Sequence, residues 1–276
     1  MLSLGDMVKR SHPSLFWCMF GIGRAQREAV YTIFAFGRHL SNILYADTDS
    51  AEKLDILQTW REELDNIYDK KVPATNIGRK IYKNCIRFDL PKSAWVQILD
   101  AAFWDAKQSE KAPSLQEFDK YVSGMSSTPM HLVLMVLNSE HPRANQELAN
   151  ALGQSVMTTY ILRAVKSDAK RNRIYIPAEM LEDAGVNAKT PRNMIEDKHL
   201  MYARKIMAKN AEAGFNKAER LLAKMNKKNT LPLRLIMNMA RCLFDIMNNR
   251  GWEIISPKPK LNLPRRTAIL FKTLFK

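Results

Sequence analysis

Apolar residues recur every three to four positions along most of the chain, which is the spacing of helices that bury one face. In residues 23–45 the apolar stripe consists of Ala29, Ile33, Phe36, Leu40 and Ile43. Similar spacing predicts helices over residues 50–69, 91–108, 114–127, 143–165, 197–225 and 232–249. Ser50 is the predicted N-cap of the second helix. A short β-like run is present only at residues 173–177, so the pattern predicts an all-α protein.

The segments between these helices are short, and no repeat or low-complexity linker divides the chain. We therefore expect one domain over residues 1–276. Hydrophobic residues make up 46% and charged residues 26% of the chain, which favours a sizeable core over disorder. The three cysteines are scattered, which argues against a disulfide framework or a zinc site and favours a reducing compartment. With no secretory signal and no apolar run of about 18 residues, a cytoplasmic location is expected.

Positive charge is concentrated in the C-terminal third. The chain has a net charge of +15, and residues 199–276 contain 17 Lys/Arg against 4 Asp/Glu, a net of +13 that leaves +2 for residues 1–198. Such a surface suits lipid headgroups, nucleic acid or a phosphorylated ligand, or it is simply a solvated basic face. Nucleic acid is the weakest of these partners because no DNA- or RNA-binding motif accompanies the charge.

In such a helical chain, acidic residues spaced one helical turn apart are the feature that would indicate a metal-dependent active site. Carboxylates at i and i+4 share a helix face, and two such helices can hold magnesium ions against a diphosphate. Magnesium then stabilises the departing diphosphate when an allylic bond ionises. This chain has only Asp168 in its most suggestive stretch, residues 161–177.

The order and spacing of several segments resemble the squalene/phytoene synthase family, and within it the presqualene diphosphate synthase branch of hopanoid synthesis. The matching segments are residues 16–44, 87–107, 112–127, 151–186 and 232–275. This resemblance covers nearly the whole chain. It implies a single-domain helical bundle of the isoprenoid-synthase type, with magnesium-dependent condensation of two farnesyl diphosphates in active members.

The first family motif, an aromatic residue and an arginine followed by Asp-Asp-x-x-Asp, is degenerate here. The corresponding stretch is FAFGRHLSNILY, in which Phe34 and Arg38 are kept. The three acidic positions are Ser41, Asn42 and Tyr45. Asp47 or Asp49 would replace them only if the helix continued through ADTD.

The second motif, Asn-Ile-Leu-Arg-Asp-x-x-Glu-Asp, is also degenerate. The chain reads YILRAVKSD, which keeps Arg163 and Asp168. The replaced motif positions are Tyr160, Ala164 and Ser167, and Met157 stands where the family usually has glutamine. One aspartate among six motif acids predicts an insufficient metal site, so no cofactor is expected unless an atypical magnesium site keeps the chain active.

Other matches are mixed. Tyr121 matches a substrate-facing tyrosine, although Pro129 and Met130 replace the Val-Gly that follows, and Asp105 keeps half of an acidic pair whose other half is Phe103. If a prenyl diphosphate is still bound, the resemblance assigns its contacts to Arg38, Tyr121, Arg163, Asp168 and Arg173. The alternative is that the two motif arginines neutralise a polar interior and Tyr121 is a core aromatic. The basic residues Lys166, Lys170, Arg171 and Arg173 are either a solvated face or direct phosphate contacts, and His39 is assigned no role.

The replacements suggest that the former diphosphate end of the cavity is filled. Tyr160, Met157, Tyr45 and Phe103 are bulkier or more apolar than the residues they replace, and the two tyrosines are expected to meet across the former ion site. Their phenols would then find Asp168, Arg38 or Arg163 as partners.

The leading hypothesis is a non-catalytic family member that acts as a binding or assembly factor on the inner membrane surface, for a respiratory complex or beside an active synthase. Its predicted anchor is the basic segment 258–276, which has six cations and no acid; the alternative is that this segment packs on the bundle. The rival hypothesis is an active farnesyl diphosphate condensing enzyme with an atypical magnesium site.

Overall fold

A computed structural model describes residues 4–11, 13–19, 21–107, 111–137, 142–188 and 190–275. Within these residues the chain forms fourteen α-helices, one π-helical turn and no strand. The first seven helices are α1 (Leu4–Ser11), α2 (Pro13–Cys18), α3 (Arg24–Leu44), α4 (Ser50–Tyr68), α5 (Asn76–Phe88), α6 (Lys92–Lys107) and α7 (Leu115–Val122). After the π turn (Ser123–Ser127) follow α8 (Thr128–Leu137), α9 (Pro142–Ala169), α10 (Ala178–Asp183), α11 (Pro191–Met194), α12 (Leu200–Ala223), α13 (Lys227–Arg250) and α14 (Leu263–Phe275).

Helix α9 is the centre of the bundle. It packs against α12, α8, α13 and the π turn, while α3 packs against α1, α8, α5 and α6 on the other side of the core. The sides of α9 that face these helices bury apolar residues such as Leu148, Leu152, Ile161 and Val165. The all-α fold class predicted from periodicity is therefore confirmed, and the extended segment 173–177 pairs with no other strand in the described part of the chain.

Local side-chain contacts determine several helix boundaries. Asp49, rather than the predicted Ser50, caps α4 by accepting a hydrogen bond from the Glu52 backbone N–H at 2.8 Å. Ser114 and Glu117 form a reciprocal capping box at the start of α7. Each cap satisfies backbone donors that the first helical turn leaves free.

Two glycines permit the closest helix approaches around the π turn. A Cβ on Gly124 would lie 2.5 Å from the Cβ of Ala101 on α6, and one on Gly153 would lie 2.5 Å from the Cα of Ser127. The absence of side chains here lets α6, the π turn and α9 pack backbone to backbone. This packing brings the end of α6 close to the end of α9.

No helix in the described ranges combines the length and apolar character needed to cross a bilayer.

Candidate functional site

A buried carboxylate organises the end of the bundle where α6, α7 and the segment after α9 meet. Asp105 on α6 accepts hydrogen bonds from Arg173 Nη1 at 2.6 Å and from the Tyr175 hydroxyl at 2.5 Å, both on Oδ1. The Tyr121 hydroxyl approaches the other oxygen, Oδ2, at 3.4 Å. Burial raises the pKa of Asp105, and the positive charge of Arg173 is the largest influence that opposes this rise.

A tight turn after α9 delivers these partners. Asn172 adopts a left-handed conformation with φ of 62°, which asparagine tolerates better than most residues. The backbone N–H groups of Arg171 and Arg173 both donate to the Asp168 carbonyl, at 2.9 and 3.0 Å. The chain then leaves in an extended conformation, in which residues two apart share a side. Arg173 and Tyr175 consequently point together toward Asp105.

Aromatic rings enclose the carboxylate. Tyr121 stacks on Tyr175 with ring centroids 5.4 Å apart, and Trp104 lies 4.9 Å from Tyr121. Burial next to Asp105 raises the pKa of both phenols well above the ordinary value, so they remain protonated donors. Tyr121 is thus buried with its hydroxyl near Asp105, and its two interpretations, a core aromatic or a substrate contact, both stay predictions.

The second retained acid, Asp168, is also paired with an arginine. Arg171 Nη2 lies 2.8 Å from Asp168 Oδ1, and the carboxylate is buried while the arginine is partly exposed. The pKa of Asp168 is raised by burial, with Arg171 and then Lys258 opposing the shift and nearby Asp105 adding to it. The guanidinium of Arg171 also stacks over the Tyr45 ring at 4.5 Å.

The first-motif positions do not converge on this end of the bundle as metal ligands. Helix α3 ends at Leu44, so it does not continue through ADTD, and Asp49 is occupied as the cap of α4. The Ser41 hydroxyl donates to the Gly37 carbonyl within its own helix, at 2.9 Å. Asn42 and Arg38 are exposed, and Arg38 has no ion-pair partner in the described part of the chain.

The second-motif arginine has an unexpected partner. Arg163 Nε donates to the backbone carbonyl of Pro259 at 2.7 Å, in the segment that follows α13. Ser167 donates to the Ala164 carbonyl at 2.7 Å and accepts from Lys258 Nζ at 3.3 Å. Of the proposed diphosphate contacts, the structure thus brings together Tyr121, Arg173 and, nearby, Asp168. Arg163 is turned toward the C-terminal segment, and Arg38 toward solvent.

The predicted meeting of Tyr45 and Tyr160 across a filled cavity is wrong. Tyr45 remains 56% exposed and Tyr160 39% exposed. Tyr45 lies beside Arg171, Arg173 and the two carboxylates, whereas the charged neighbours of Tyr160 are Arg163 and Arg266. Tyr160 is on the edge of α9 that faces the C-terminal segment, because the inward edge is taken by Ile161 and Val165. Phe103 and Met157 do pack against the core as partly buried residues.

Other features were missed or misassigned. The grouping of Arg173 with a solvated basic face is wrong, since its side chain forms the buried ion pair described above. Tyr175 was overlooked, although its spacing of two from Arg173 in a β-like run was a usable signal. His39 was assigned no role, and the structure shows that Trp60 Nε1 donates to its Nε2 at 2.7 Å.

These residues do not fit a magnesium site. No group of three or more His, Cys, Asp or Glu side chains among the described residues is placed to hold a metal ion. Asp105 and Asp168 are near each other, but each is already bonded to an arginine of the same chain. Magnesium prefers carboxylate, phosphate and water oxygens, and a neighbouring guanidinium competes with it for the same lone pairs.

Solved structures with the same arrangement of helices define the class of this protein as an isoprenoid-synthase-type bundle. A dehydrosqualene synthase matches with a TM-score of 0.83 at 19% identity, covering 98% of this chain and 94% of that one. A squalene synthase from Alicyclobacillus acidocaldarius matches with a TM-score of 0.73 at 18% identity, covering 90% of this chain and 93% of that one. At these identities the likeness establishes the fold.

The chain belongs to the squalene/phytoene synthase family, whose sequence model matches residues 8–267. The presqualene diphosphate synthase of Sinorhizobium fredii is 30% identical over 251 residues, covering 90% of this chain and 88% of that one. That of Rhodopseudomonas palustris is 25% identical over 261 residues, covering 94% and 92%. A bovine protein named as NADH dehydrogenase complex I assembly factor 6 is 22% identical over 183 residues, covering 66% of this chain and 54% of its own length.

Proposed function

We propose that this chain is a non-catalytic member of its family that acts as a binding or assembly factor at an anionic membrane surface. The observation that carries the proposal is the pairing of both retained acids with arginines of the same chain. Arg173 holds Asp105 at 2.6 Å and Arg171 holds Asp168 at 2.8 Å. The protein thereby balances these buried charges with its own cations.

Energetics favour this arrangement over metal binding. Breaking a buried ion pair by removing one partner typically costs about 3–5 kcal/mol, because the other charge is left uncompensated. Metal entry at Asp105 would displace Arg173, which has few other partners in its buried position. The six motif positions that are acidic in the resembling enzymes supply only Asp168 to offset that cost.

The membrane part of the proposal rests on α14, whose two faces differ. The packed face is held on α13 by Asn238, which donates to Thr273 Oγ1 at 2.9 Å, and by Lys227, which donates to the Leu274 carbonyl at 3.1 Å. Phe271 and Phe275 lie on the other face, 60% and 77% exposed, with their rings stacked 6.0 Å apart.

One face of α14 therefore packs on the bundle, and the other face is available to a membrane surface. Ile269, Leu270 and Leu274 are half-buried on the packed side, so they are not available to lipid as expected from the sequence. The exposed aromatic residues, together with Leu263, are flanked by the exposed cations Lys260, Arg265 and Lys272. An apolar face bordered by basic residues suits the interface of an anionic bilayer, with about 1 kcal/mol from each cation near the surface.

The bovine relative named as an assembly factor supports a role in assembly. The alternative function is condensation of two farnesyl diphosphates with an atypical magnesium site, in line with the names of the two bacterial relatives. The Asp105, Tyr121 and Arg173 cluster would then contact substrate rather than only stabilise the bundle.

An activity assay separates these functions. The purified chain, incubated with farnesyl diphosphate, magnesium and NADPH, should yield neither presqualene diphosphate nor squalene. A bacterial presqualene diphosphate synthase serves as the positive control. Turnover at or above roughly 1 per second, an ordinary enzyme rate, would contradict the proposal.

Vesicle sedimentation tests the membrane role independently. The chain should sediment with anionic vesicles at physiological salt and remain in solution with neutral ones. Equal binding to both kinds of vesicle, or binding to neither, would leave the non-catalytic conclusion standing but refute the anionic-membrane role.

A further inference from the structure

Residues 251–262, which we call the C-terminal strap, cross the outer flank of α9 between α13 and α14. Three arginines hold the strap through its backbone. Arg204 donates to the carbonyls of Trp252 and Ile254, Arg250 to those of Ile254 and Pro257, and Arg163 to that of Pro259. Because these contacts use the strap's main chain, its side chains remain available to line a cleft against α9.

The cleft between strap and helix has a volume of about 240 Å³. Its lining residues are Arg163, Lys166, Ser167 and Lys170 from α9 and Ile255, Ser256 and Lys258 from the strap. Four of these side chains are cationic, two carry hydroxyls and none is acidic. The lining includes no residue of α6 or α7, which hold Asp105 and Tyr121, so the cleft differs from the end of the bundle that holds Asp105.

No cation of this cleft forms an ion pair with a described residue, although Asp168 attracts Lys258 from nearby. The nearby carboxylate of Asp168 is bonded to Arg171. Arg163 uses Nε for the Pro259 carbonyl and leaves both terminal nitrogens without a hydrogen-bond partner among the described residues, and Lys166 and Lys170 have no ion pair there. Burial and the neighbouring Arg163 lower the pKa of Lys258, as expected for an ammonium group among like charges.

We propose that this cleft binds a phosphate group directly, through cations and hydroxyls and without a divalent metal. The planar guanidinium of Arg163 presents paired donors that match two oxygens of a tetrahedral oxyanion. Lys166, Lys170 and Lys258 supply point charges, and the two serine hydroxyls supply directional donors. The phosphate belongs either to a lipid headgroup or to a soluble phosphate ester. This inference goes beyond the proposed function, since it holds whether or not the chain catalyses a reaction.

Inorganic diphosphate is a suitable soluble probe. Isothermal titration with a chelator present should show one site per chain. In Lys166→Gln/Lys258→Gln the affinity should fall at least about tenfold, which corresponds to about 1.4 kcal/mol. The matched control is Lys209→Gln/Lys217→Gln, which removes two exposed charges from α12 outside the cleft and should change the affinity by less than about twofold. Lys170→Gln provides a milder second test, and thermal melts verify that each variant is folded.

An equal loss of affinity in both double variants would show diffuse attraction to a basic surface and overturn the proposal, as would the absence of binding by the parent chain. Vesicles identify the source of the phosphate. For a headgroup, the parent should prefer phosphatidate, which exposes a phosphomonoester, over phosphatidylglycerol at equal surface charge, and Lys166→Gln/Lys258→Gln should lose that preference. For a soluble ester, the same variant should lose diphosphate binding and keep parental binding to both kinds of vesicle.

Discussion

Arg173 and Asp105 form an ion pair inside the bundle, with Nη1 2.6 Å from Oδ1 and side chains only 13% and 1% exposed. The arginine follows α9 and the aspartate lies on α6, so the pair joins two parts of the chain that are 68 positions apart. Two tyrosines supply further hydrogen bonds to the same carboxylate. The stability of this end of the protein should therefore depend on the pair.

Replacing Arg173 with methionine should destabilise the chain by about 3–5 kcal/mol, because it leaves a buried, uncompensated carboxylate. Urea denaturation measures the change. The double variant Arg173→Met/Asp105→Asn removes both charges and should recover at least half of the loss. A double variant as unstable as the single one would show that packing, rather than charge, dominates at this position.

The stability of the single variant Arg173→Met should depend on pH in a characteristic way. Burial raises the pKa of Asp105, and the loss of Arg173 removes the main opposing influence and raises that pKa further. As pH rises above the ordinary aspartate value of about 3.9, the unfolded chain releases its proton while the folded chain retains it, which favours unfolding. The deficit of Arg173→Met relative to the parent should thus be smaller at pH 5 than at pH 7. A constant deficit would contradict this assignment.

His39 should titrate below its ordinary range and respond to Trp60. Burial lowers the pKa of His39, and the Trp60 indole N–H donates to Nε2 at 2.7 Å, a contact that needs the neutral imidazole. Trp60→Phe removes that donor while keeping an aromatic ring. We expect the pKa of His39, followed by NMR, to move upward toward 6.5 in this variant. No movement would mean that burial alone sets the value.

The exposed aromatic pair on α14 should carry membrane affinity. Phe271→Ser/Phe275→Ser should weaken binding to anionic vesicles at least about tenfold, because the two rings no longer enter the apolar part of the interface. The matched control is Val72→Ser/Ile86→Ser, which removes two other exposed apolar side chains. Similar losses in both variants would indicate nonspecific adsorption.

Arg204 should hold the C-terminal strap in place. It is fully buried, donates to the carbonyls of Trp252 and Leu162, and lies 5.4 Å from the Trp252 ring. Burial lowers its pKa to about 10, so it remains charged at neutral pH. Arg204→Met should leave these carbonyls without a donor, cost about 3 kcal/mol and speed hydrogen exchange in residues 251–262.

The adjacent Lys205 provides the control for that experiment. It is exposed, its ammonium lies 5.6 Å from the centre of the Tyr202 ring, and it forms no ion pair with a described residue. Lys205→Met should change stability by no more than about 0.5 kcal/mol and leave exchange in the strap unaltered. Unchanged exchange in Arg204→Met would show that Arg163 and Arg250 suffice to hold the strap.

Several helices with one buried face could be predicted from the sequence, because their apolar spacing follows directly from the helical repeat, although the short helix α5 was missed. Helix α3 was predicted over residues 23–45 and spans Arg24–Leu44, and α6 was predicted over 91–108 and spans Lys92–Lys107. Helix α8 was not predicted. Its sequence TPMHLVLMVL is apolar on nearly all sides, since neighbouring helices surround it, and it therefore lacks a periodic signal.

The chemistry of the motif positions was also readable from the sequence, because it depends on residue type alone. The loss of acids at Ser41, Asn42, Tyr45, Ala164 and Ser167 requires no coordinates. The partners of the remaining acids, in contrast, could not be read from the sequence. For Arg173 the sequence left a solvated basic face or a phosphate contact open, whereas a left-handed turn at Asn172 directs it inward to a residue on α6.

The amino-acid sequence by itself determined the helical class, the family and the absence of most motif acids, since each depends on local spacing or on side-chain identity. Only the tertiary structure decided which side chains meet. Tyr45 and Tyr160 were expected to face one another but lie in different surroundings, because α3 ends before Tyr45 and Tyr160 lies on the edge of α9 beside the strap. Contacts between distant segments depend on where helices end and how they pack, which local sequence patterns do not encode.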